Sequence, residues 1–308
     1  MILTVTLNTA LDLTYAVPAL TPHTTHRVTD VAERPGGKGV NVARVLAALG
    51  HETVVTGFAG GPTGEVLRGL LAPLPVRDAL VPTSDATRRT VAVVDTATGD
   101  ATHFNEPGPV ITPAEWAALV SSYEELLAGA RAVALCGSLP RGVHVGAYGE
   151  LVRRARRAGV PVLLDTSGEP LRRGIAARPD LVKPNADELA ALTGSREPLR
   201  AARDARRRGA HAVVASLGPD GLLAVTPDGT WTAAPPARVA GNPTGAGDSA
   251  VAGLLSALVE GEPWPRRLAR ATALATATVY ARTAGEFDAA RYGELLERVT
   301  VTEHATAA

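Results

Sequence analysis

The chain has 308 residues with 31 basic and 31 acidic side chains, so its formal net charge is zero. That length suits one large α/β domain spanning 1–308 with a small appendage, and the charge balance leaves no global field to draw nucleic acid or an anionic membrane. A lone cysteine, Cys136, rules out an intramolecular disulfide and fits a reducing cytoplasm; no uninterrupted apolar run reaches a membrane span of about 18 residues, and residues 1–7 lack the basic flank of a signal peptide.

In chain order, residues 2–7 read as a buried strand, Ile-Leu-Thr-Val-Thr-Leu. Asn8 and Asp12 follow it, where open α/β sheets bind ligands. Asp12 suits a pair of sugar hydroxyls, and equally an Asx turn. Residues 11–34 and 83–105 lack helical period and carry Thr, Val and turn signals. The second stretch holds a hairpin with arms 90–95 and 101–104. We expect both stretches to leave the core as strands of a small β-sheet, a lid that excludes water from a site.

Between them, Pro35-Gly36-Gly37-Lys38-Gly39-Val40-Asn41 opens a helix over 40–49 that stops at Gly50. Three glycines let backbone approach a ligand closely, Lys38 offers a point charge, and Asn41 both donates and accepts as a sugar hydroxyl requires. The run is not a Walker A loop, and it reads equally as a plain turn. A strand at 53–58 and a helix at 64–71 follow. Further on come strands at 132–136, 160–164, 181–183 and 212–216, and helices at 145–158, 187–192 and 198–208. Such alternation implies a mostly parallel sheet covered on both faces. Basic runs at 153–157 and 206–208 fall on these helices and read as solvated faces.

Lys183-Pro184-Asn185 with Glu188 spaces two polar groups three apart at a helix start. The pattern is that of a capping box, and also that of groups holding the waters of Mg²⁺. Ser216-Leu217-Gly218-Pro219-Asp220-Gly221 follows a strand, either contacting a nucleotide or turning the chain. In the run Thr244-Gly245-Ala246-Gly247-Asp248, two glycines permit a tight turn before an apolar helix at 250–259. Amides at a helix start have no internal acceptor, and the helix dipole adds positive charge, which together make a phosphate site. Asp248 either caps that helix or serves as general base for phosphoryl transfer. The tail at 301–308 reads as loose.

The glycine runs at 36–39 and 245–247, about 200 residues apart, with Lys183-Pro184-Asn185, Glu188 and Ser216-Leu217-Gly218 in order between them, resemble the ribokinase-like (PfkB) carbohydrate kinases over nearly the whole chain. Thr87-Arg88, Asn105-Glu106-Pro107-Gly108 and Gly137-Ser138-Leu139-Pro140 are similar to the 1-phosphofructokinase and tagatose-6-phosphate kinase branch. Two positions depart from it: Thr9 stands where proline is common, and Cys136 where serine is common. The resemblance implies a ribokinase-like three-layer fold with a mostly parallel sheet, helices on both faces and a β-sheet lid.

The same resemblance implies an ATP- and Mg²⁺-dependent kinase acting on fructose 1-phosphate, with tagatose 6-phosphate or fructose 6-phosphate as alternatives. It makes Asp248 the base and Gly245, Ala246 and Gly247 the anion hole. Asp12, Gly37, Lys38, Asn41, Arg88, Asn105 and Ser138 would bind the substrate, with Lys38 and Arg88 on the phosphate it already carries. Lys183, Asn185, Ser216, Gly218, Gly221 and Thr244 would bind the nucleotide, and Glu188 with Asn185 would hold the metal's waters. An exposed lid would let two copies pair. A dinucleotide oxidoreductase does not fit, because strand one is followed by Asn8-Thr9-Ala10-Leu11-Asp12 and not by G-x-G-x-x-G. A non-catalytic sugar-phosphate sensor does not need Asp248.

Overall fold

Runs of Val, Ile, Leu and Ala alternate with amphipathic helices, and the chain winds them into three layers. The structure, a computed structural model, describes residues 1–304. β1 (Ile2–Thr6) leads into β2 (Ala10–Val17), β3 (Asp30–Gly36), α1 (Lys38–Ala48), β4 (Thr53–Gly60) and α2 (Gly61–Leu71). Short strands β5 (Val76–Asp78) and β6 (Val81–Thr83) precede β7 (Arg88–Asp95), β8 (Ala101–Asn105) and α3 (Pro113–Leu127). β9 (Ala132–Cys136), α4 (Ala147–Arg157), β10 (Val162–Asp165), α5 (Gly168–Ile175), β11 (Leu181–Val182), α6 (Ala186–Thr193), α7 (Pro198–Arg207) and β12 (Ala212–Ser216) continue the alternation. β13 (Leu222–Val225), β14 (Thr230–Ala234), α8 (Ala246–Val259), α9 (Trp264–Thr278), α10 (Ala289–Arg298) and β15 (Thr300–His304) complete the described chain.

The main sheet runs β15-β14-β13-β12-β11-β10-β9-β1-β4-β5, with β6 also beside β4. Its strands are parallel from β12 to β5 and antiparallel from β12 outward through β15. Both faces are buried, as a parallel sheet requires. Leu3, Val5, Val133 and Leu164 pack under α3 to α7, whereas Ile2, Ala134, Leu163 and Val214 pack under α1, α8 and α9. The parallel strands therefore end together at one edge, and the polar residues that follow them share it.

A second sheet, β3-β2-β7-β8, stands apart from the first. β2 and β7 are parallel, with Asp12 opposite Thr90, and β3 sets Arg34 opposite Asp12. It draws on residues 10–36 and 88–105, whereas Thr83 stays in the body through its pairing with Gly60.

Three expectations are corrected. Residues 301–304 are not loose: they belong to β15, which pairs with β14 along its length and tucks Val301 against the second core cluster. Residues 305–308 lie outside the described chain. The helix expected at 250–259 begins at Ala246, because Gly245 turns the chain in the left-handed region at φ 87° and the helix starts immediately after it. Asp248 therefore sits within the first turn. The helix expected at 64–71 likewise begins earlier, at Gly61, where Pro62 suits the first turn.

α8 approaches α9 closely at Gly253, where a Cβ would lie 2.7 Å from Ala271 Cα. Gly253→Leu is expected to force these helices apart and to lower stability by about 1–3 kcal/mol, the usual effect of overpacking, as read from the midpoint of urea unfolding.

Candidate active site

Two helices that start on glycine converge over the carboxyl ends of the parallel strands. α1 begins after Gly37, whose φ is 102°. A Cβ there would lie 2.7 Å from Thr6 Cγ2, and one on Gly39 would lie 2.3 Å from Thr6 Oγ1, so the chain can lie this close to β1 only without side chains. α8 begins after Gly245, backed by Ala284, whose Cα would lie 2.8 Å from a Cβ. The loop at 284–286 is held in turn by Arg44, which donates to Ala284 O and to Glu286 Oε1, both at 2.8 Å.

The first turn of α8 has no side-chain cap. The capping reading of Asp248 is thereby overturned: its Oδ2 accepts instead from Asn41 Nδ2 at 2.9 Å. The Ala246 amide is taken by Pro243 O at 3.1 Å and the Ser249 amide by Gly245 O at 2.9 Å. Among the described residues no acceptor takes the amides of Gly245, Gly247 or Asp248. The free amides thus differ from the expected Gly245, Ala246 and Gly247 by one member: Asp248 stands in for Ala246, whose amide is satisfied inside the turn.

Asp248 is 7% exposed. Burial pushes its carboxyl up to about 6, against Lys38, the Asn41 hydrogen bond and Lys183, which lower it; Asp165 raises it further. A base with that affinity is deprotonated at neutral pH yet takes a proton readily.

Asp165 itself, the last residue of β10, is 1% exposed. Its two oxygens lie 3.5 Å from Lys38 Nζ and 3.5 Å from Lys183 Nζ. Lys183 is buried, and its Nζ lies 3.6 Å from where a Cβ on Gly247 would stand. Burial disfavours the Lys38 ammonium, but Asp165, Asp248 and Glu188 outweigh it and hold its pKa above the ordinary lysine range.

A small cleft of about 90 Å³ is lined by Asp12, Thr90 and His103 of the small sheet and by Asn242, Thr244 and Arg282 among others. Asp12 does not close an Asx turn; it lies within β2 and accepts from the Thr90 hydroxyl. A Cβ on Gly36 would fall 2.1 Å from its carboxylate. Burial raises its pKa, opposed by the Thr90 hydrogen bond and by the charges of Arg88, Arg44 and His103. Arg88 starts β7, and its guanidinium donates to Asn8 O at 3.3 Å and Glu106 O at 3.2 Å. Asn8 Nδ2 donates to Ser138 Oγ at 3.1 Å, and Asn105 ends β8 opposite Thr90.

A second cleft, of about 670 Å³, borders the start of α8 at Ala246, Gly247 and Ala250. Its floor is apolar, with Leu222, Ala250, Ala275 and Val279, and its rim carries Asn185, Ser216, Gly218, Gly221, Ala246 and Gly247. Its size and lining suit a purine nucleoside. The two rim motifs are stitched together, since Asn185 and Ser216 pair as a parallel bridge.

Of the sequence-predicted residues, the structure brings Asn41, Lys38 and Lys183 to Asp248, and two residues are placed differently from the expectation. Thr244, expected at the nucleotide, lines the smaller cleft. Lys38, expected at the phosphate that the substrate carries, is brought against Asp165. Asn185 and Glu188 form the capping box in full, at 2.8 and 2.9 Å; that leaves one oxygen of Glu188 outside the box. Asp165 was missed, although it too follows a strand at the sheet's ligand edge. Asn8 was noted only for its position, and Thr90, which binds Asp12, gave no signal beyond its strand. Thr9, the departure from the usual proline, donates its hydroxyl to Phe58 O, a tie proline cannot make.

Comparison with known proteins bears on this geometry. The pattern of the pfkB family carbohydrate kinases matches residues 4–289. A 1-phosphofructokinase from Rhodobacter capsulatus is 42% identical over 266 residues, covering 84% of each chain. Among solved structures, the chain is similar to a possible 1-phosphofructokinase from Thermotoga maritima, with a TM-score of 0.91 and 27% identity over 99% of this chain and 100% of that one. It is also similar to phosphofructokinase-2 from Escherichia coli in complex with substrates and products, with a TM-score of 0.88 and 32% identity over 96% and 98%.

Asn41 stabilises the charged form of Asp248, so Asn41→Leu is expected to move the titration of that carboxyl to higher pH. Difference infrared spectroscopy of the carboxyl band, with Asp248→Asn as the blank, checks the direction.

Proposed function

The chain belongs to the pfkB family of carbohydrate kinases, and from that premise we propose that it phosphorylates fructose 1-phosphate to fructose 1,6-bisphosphate with ATP. One observation carries the reading: a buried carboxylate, raised to about 6, stands in a helix turn with unpaired amides, and that turn borders a nucleoside-sized cleft at Ala246 and Gly247. The γ-phosphate lies against the amides of Gly245, Gly247 and Asp248. Asp248 takes the proton of the acceptor hydroxyl while that oxygen bonds to phosphorus and the bond to ADP breaks. Phosphoryl transfer asks the protein for position and charge above all.

Asp12, Gly37, Asn41 and Asn105 face the sugar hydroxyls in this reading. Arg88 holds the phosphate already present, beside Ser138, because a guanidinium grips phosphate in two places. The adenosine lies over Ala275 and Val279, along Ser216, Gly218 and Gly221. For Mg²⁺, no cluster of three acidic, His or Cys side chains exists among the described residues. Glu188, one of whose carboxylate oxygens lies outside the capping box, would hold the water shell of Mg²⁺ together with Asn185. When bound, the ion neutralises charge on the phosphate oxygens. Substrates of this kind place the work in the cytoplasm.

We also propose that two copies pair through the small sheet. Alternation along its strands sends Asp12, Thr90 and His103 to the cleft and Tyr15, Val31, Val91, Val93 and Phe104 to the opposite face. Phe104 is 58% and Val31 55% exposed, an apolar face that a second copy would cover. Phe104→Asp is expected to shift the protein from dimer to monomer in light scattering at micromolar concentration.

A coupled ADP-release assay tests the substrate. Fructose 1-phosphate is expected to show the highest kcat/KM among fructose 1-phosphate, fructose 6-phosphate, tagatose 6-phosphate and free fructose. Preference for the free sugar contradicts the part given to Arg88. Asp248→Asn is expected to lower kcat by ~10²–10⁴, the range of a lost general base, with nucleotide affinity retained in equilibrium dialysis.

A further inference from the structure

We propose that Arg44 and Glu286 are positioning residues for phosphoryl transfer: together they set the loop at 284–286, and through it the free amides at the start of α8. The inference rests on the reading of those amides as the seat of the γ-phosphate. Nothing in that reading uses Arg44, Glu286 or the loop.

The contacts form a continuous path. α8 begins after Gly245, and a Cβ there would lie 2.8 Å from Ala284 Cα and 3.3 Å from the Gly285 nitrogen. The loop is thus the wall against which the turn forms. A Cβ on Gly285 would in turn lie 2.8 Å from an Arg44 guanidinium nitrogen and 3.1 Å from Asn41 Oδ1. Asn41 and Arg44 stand three apart on one face of α1. The loop therefore rests on the side chain that holds Asp248 as well as on the guanidinium. The chain leading to it borders both clefts, with Val279 in the larger and Arg282, Thr283 and Ala284 in the smaller.

Arg44 grips the loop at two points: Nη1 donates to Ala284 O and Nη2 to Glu286 Oε1, both at 2.8 Å. A point charge cannot copy that fork. The Arg44 side chain is 8% exposed. Burial lowers its pKa, and Glu286 is the foremost group opposing that. A buried guanidinium left without its carboxylate is costly. Glu286 Oε1 also lies 3.6 Å from Arg34 Nε, and β3 sets Arg34 opposite Asp12. One carboxylate oxygen therefore ties α1, the small sheet and the loop together. An exposed ion pair adds little by itself; what Glu286 contributes is a paired Arg44 and a fixed Ala284. Amides that stand in place before the phosphoryl group arrives need no reorientation during transfer, and small misplacements near the reacting atoms are costly in rate.

Glu286→Gln, Arg44→Lys and the double variant test the assignment, assayed for ADP release with Mg²⁺, ATP and fructose 1-phosphate. Glu286→Gln is expected to lower kcat about tenfold while KM for either substrate changes less than about threefold, because the loss falls on the transition state. Equilibrium dialysis supplies a second readout. The transition-state mimic formed by ADP, aluminium fluoride, Mg²⁺ and fructose 1-phosphate should lose affinity by the same factor as kcat, whereas ATP alone keeps its affinity within about threefold. Arg44→Lys keeps the charge without the fork and should behave alike. The double variant should cost little more than the worse single, as coupled residues do. Unchanged kcat in Glu286→Gln overturns the assignment, because the amides then stand without the loop. A loss of ATP affinity equal to that of the mimic overturns it as a general loosening. A raised KM for fructose 1-phosphate at unchanged kcat, or independent effects of the two substitutions, overturns it as well. Should Arg44→Lys not fold, Glu286→Gln, altered at a half-exposed side chain, decides alone. If Asp248→Asn retains kcat, or fructose 1-phosphate releases no ADP from the unaltered protein, the base or the substrate has been misread. Binding of ADP with aluminium fluoride and Mg²⁺, which reads the amides, then still decides the assignment.

Discussion

One hydrogen bond, from Asn41 to Asp248, joins the first turns of two helices whose partners lie 207 residues apart in the chain. The rest of the site depends on it. For the two side chains to meet, α1 and α8 must both start at the carboxyl edge of the sheet, and both must start abruptly. Gly37 and Gly245 make that possible, since each takes a positive φ and stands where a Cβ would strike neighbouring chain. Parallel pairing from β12 to β5 then brings the carboxyl ends of those strands to that same edge.

The consequence is electrostatic. Two carboxylates, Asp165 and Asp248, are buried with Lys183, and the half-exposed Lys38 reaches them from the solvent side. In such surroundings charges act strongly, and burial alone raises a carboxyl. Asp248 is held between the two extremes: pushed up by burial and Asp165, and pulled back by Lys38, Asn41 and Lys183. Free amides at the start of α8 offer their dipoles to an anion without any rearrangement at the moment of reaction. The small sheet closes the polar cleft with Asp12 and His103, while the apolar cleft at the start of α8 receives what a nucleoside would bury.

Much of this was legible in the sequence, and the reasons differ residue by residue. Glycine runs at 36–39 and 245–247 mark close backbone approach whatever surrounds them, and the alternation of strands with helices from residue 132 to 216 announces the parallel sheet. The lid strands were legible from missing helical period, as was the hairpin from its turn at 96–100. Other features depend on contacts the sequence does not display. Asp165 meets Lys38 across 127 residues, and only its place after a strand hints at a role. Ala246 was expected to offer its amide, but the turn spends it on Pro243. β15 was read as a loose end because it lies at the end of the chain, and it owes its order to pairing along the edge of β14. α9, rich in Ala and Thr, was not among the expected helices; it packs along α8, most closely where Gly253 meets Ala271.

The central claim is that Asp248 works as a base whose affinity for protons is set by burial between opposing charges. The most direct measurement is the pH dependence of kcat/KM in the unaltered enzyme, which reports the ionisation of the unliganded site, with ATP, Mg²⁺ and fructose 1-phosphate. The structure predicts a single acid limb of unit slope with its midpoint near pH 6. A rate that stays level down to the ordinary aspartate value of about 4 would contradict it.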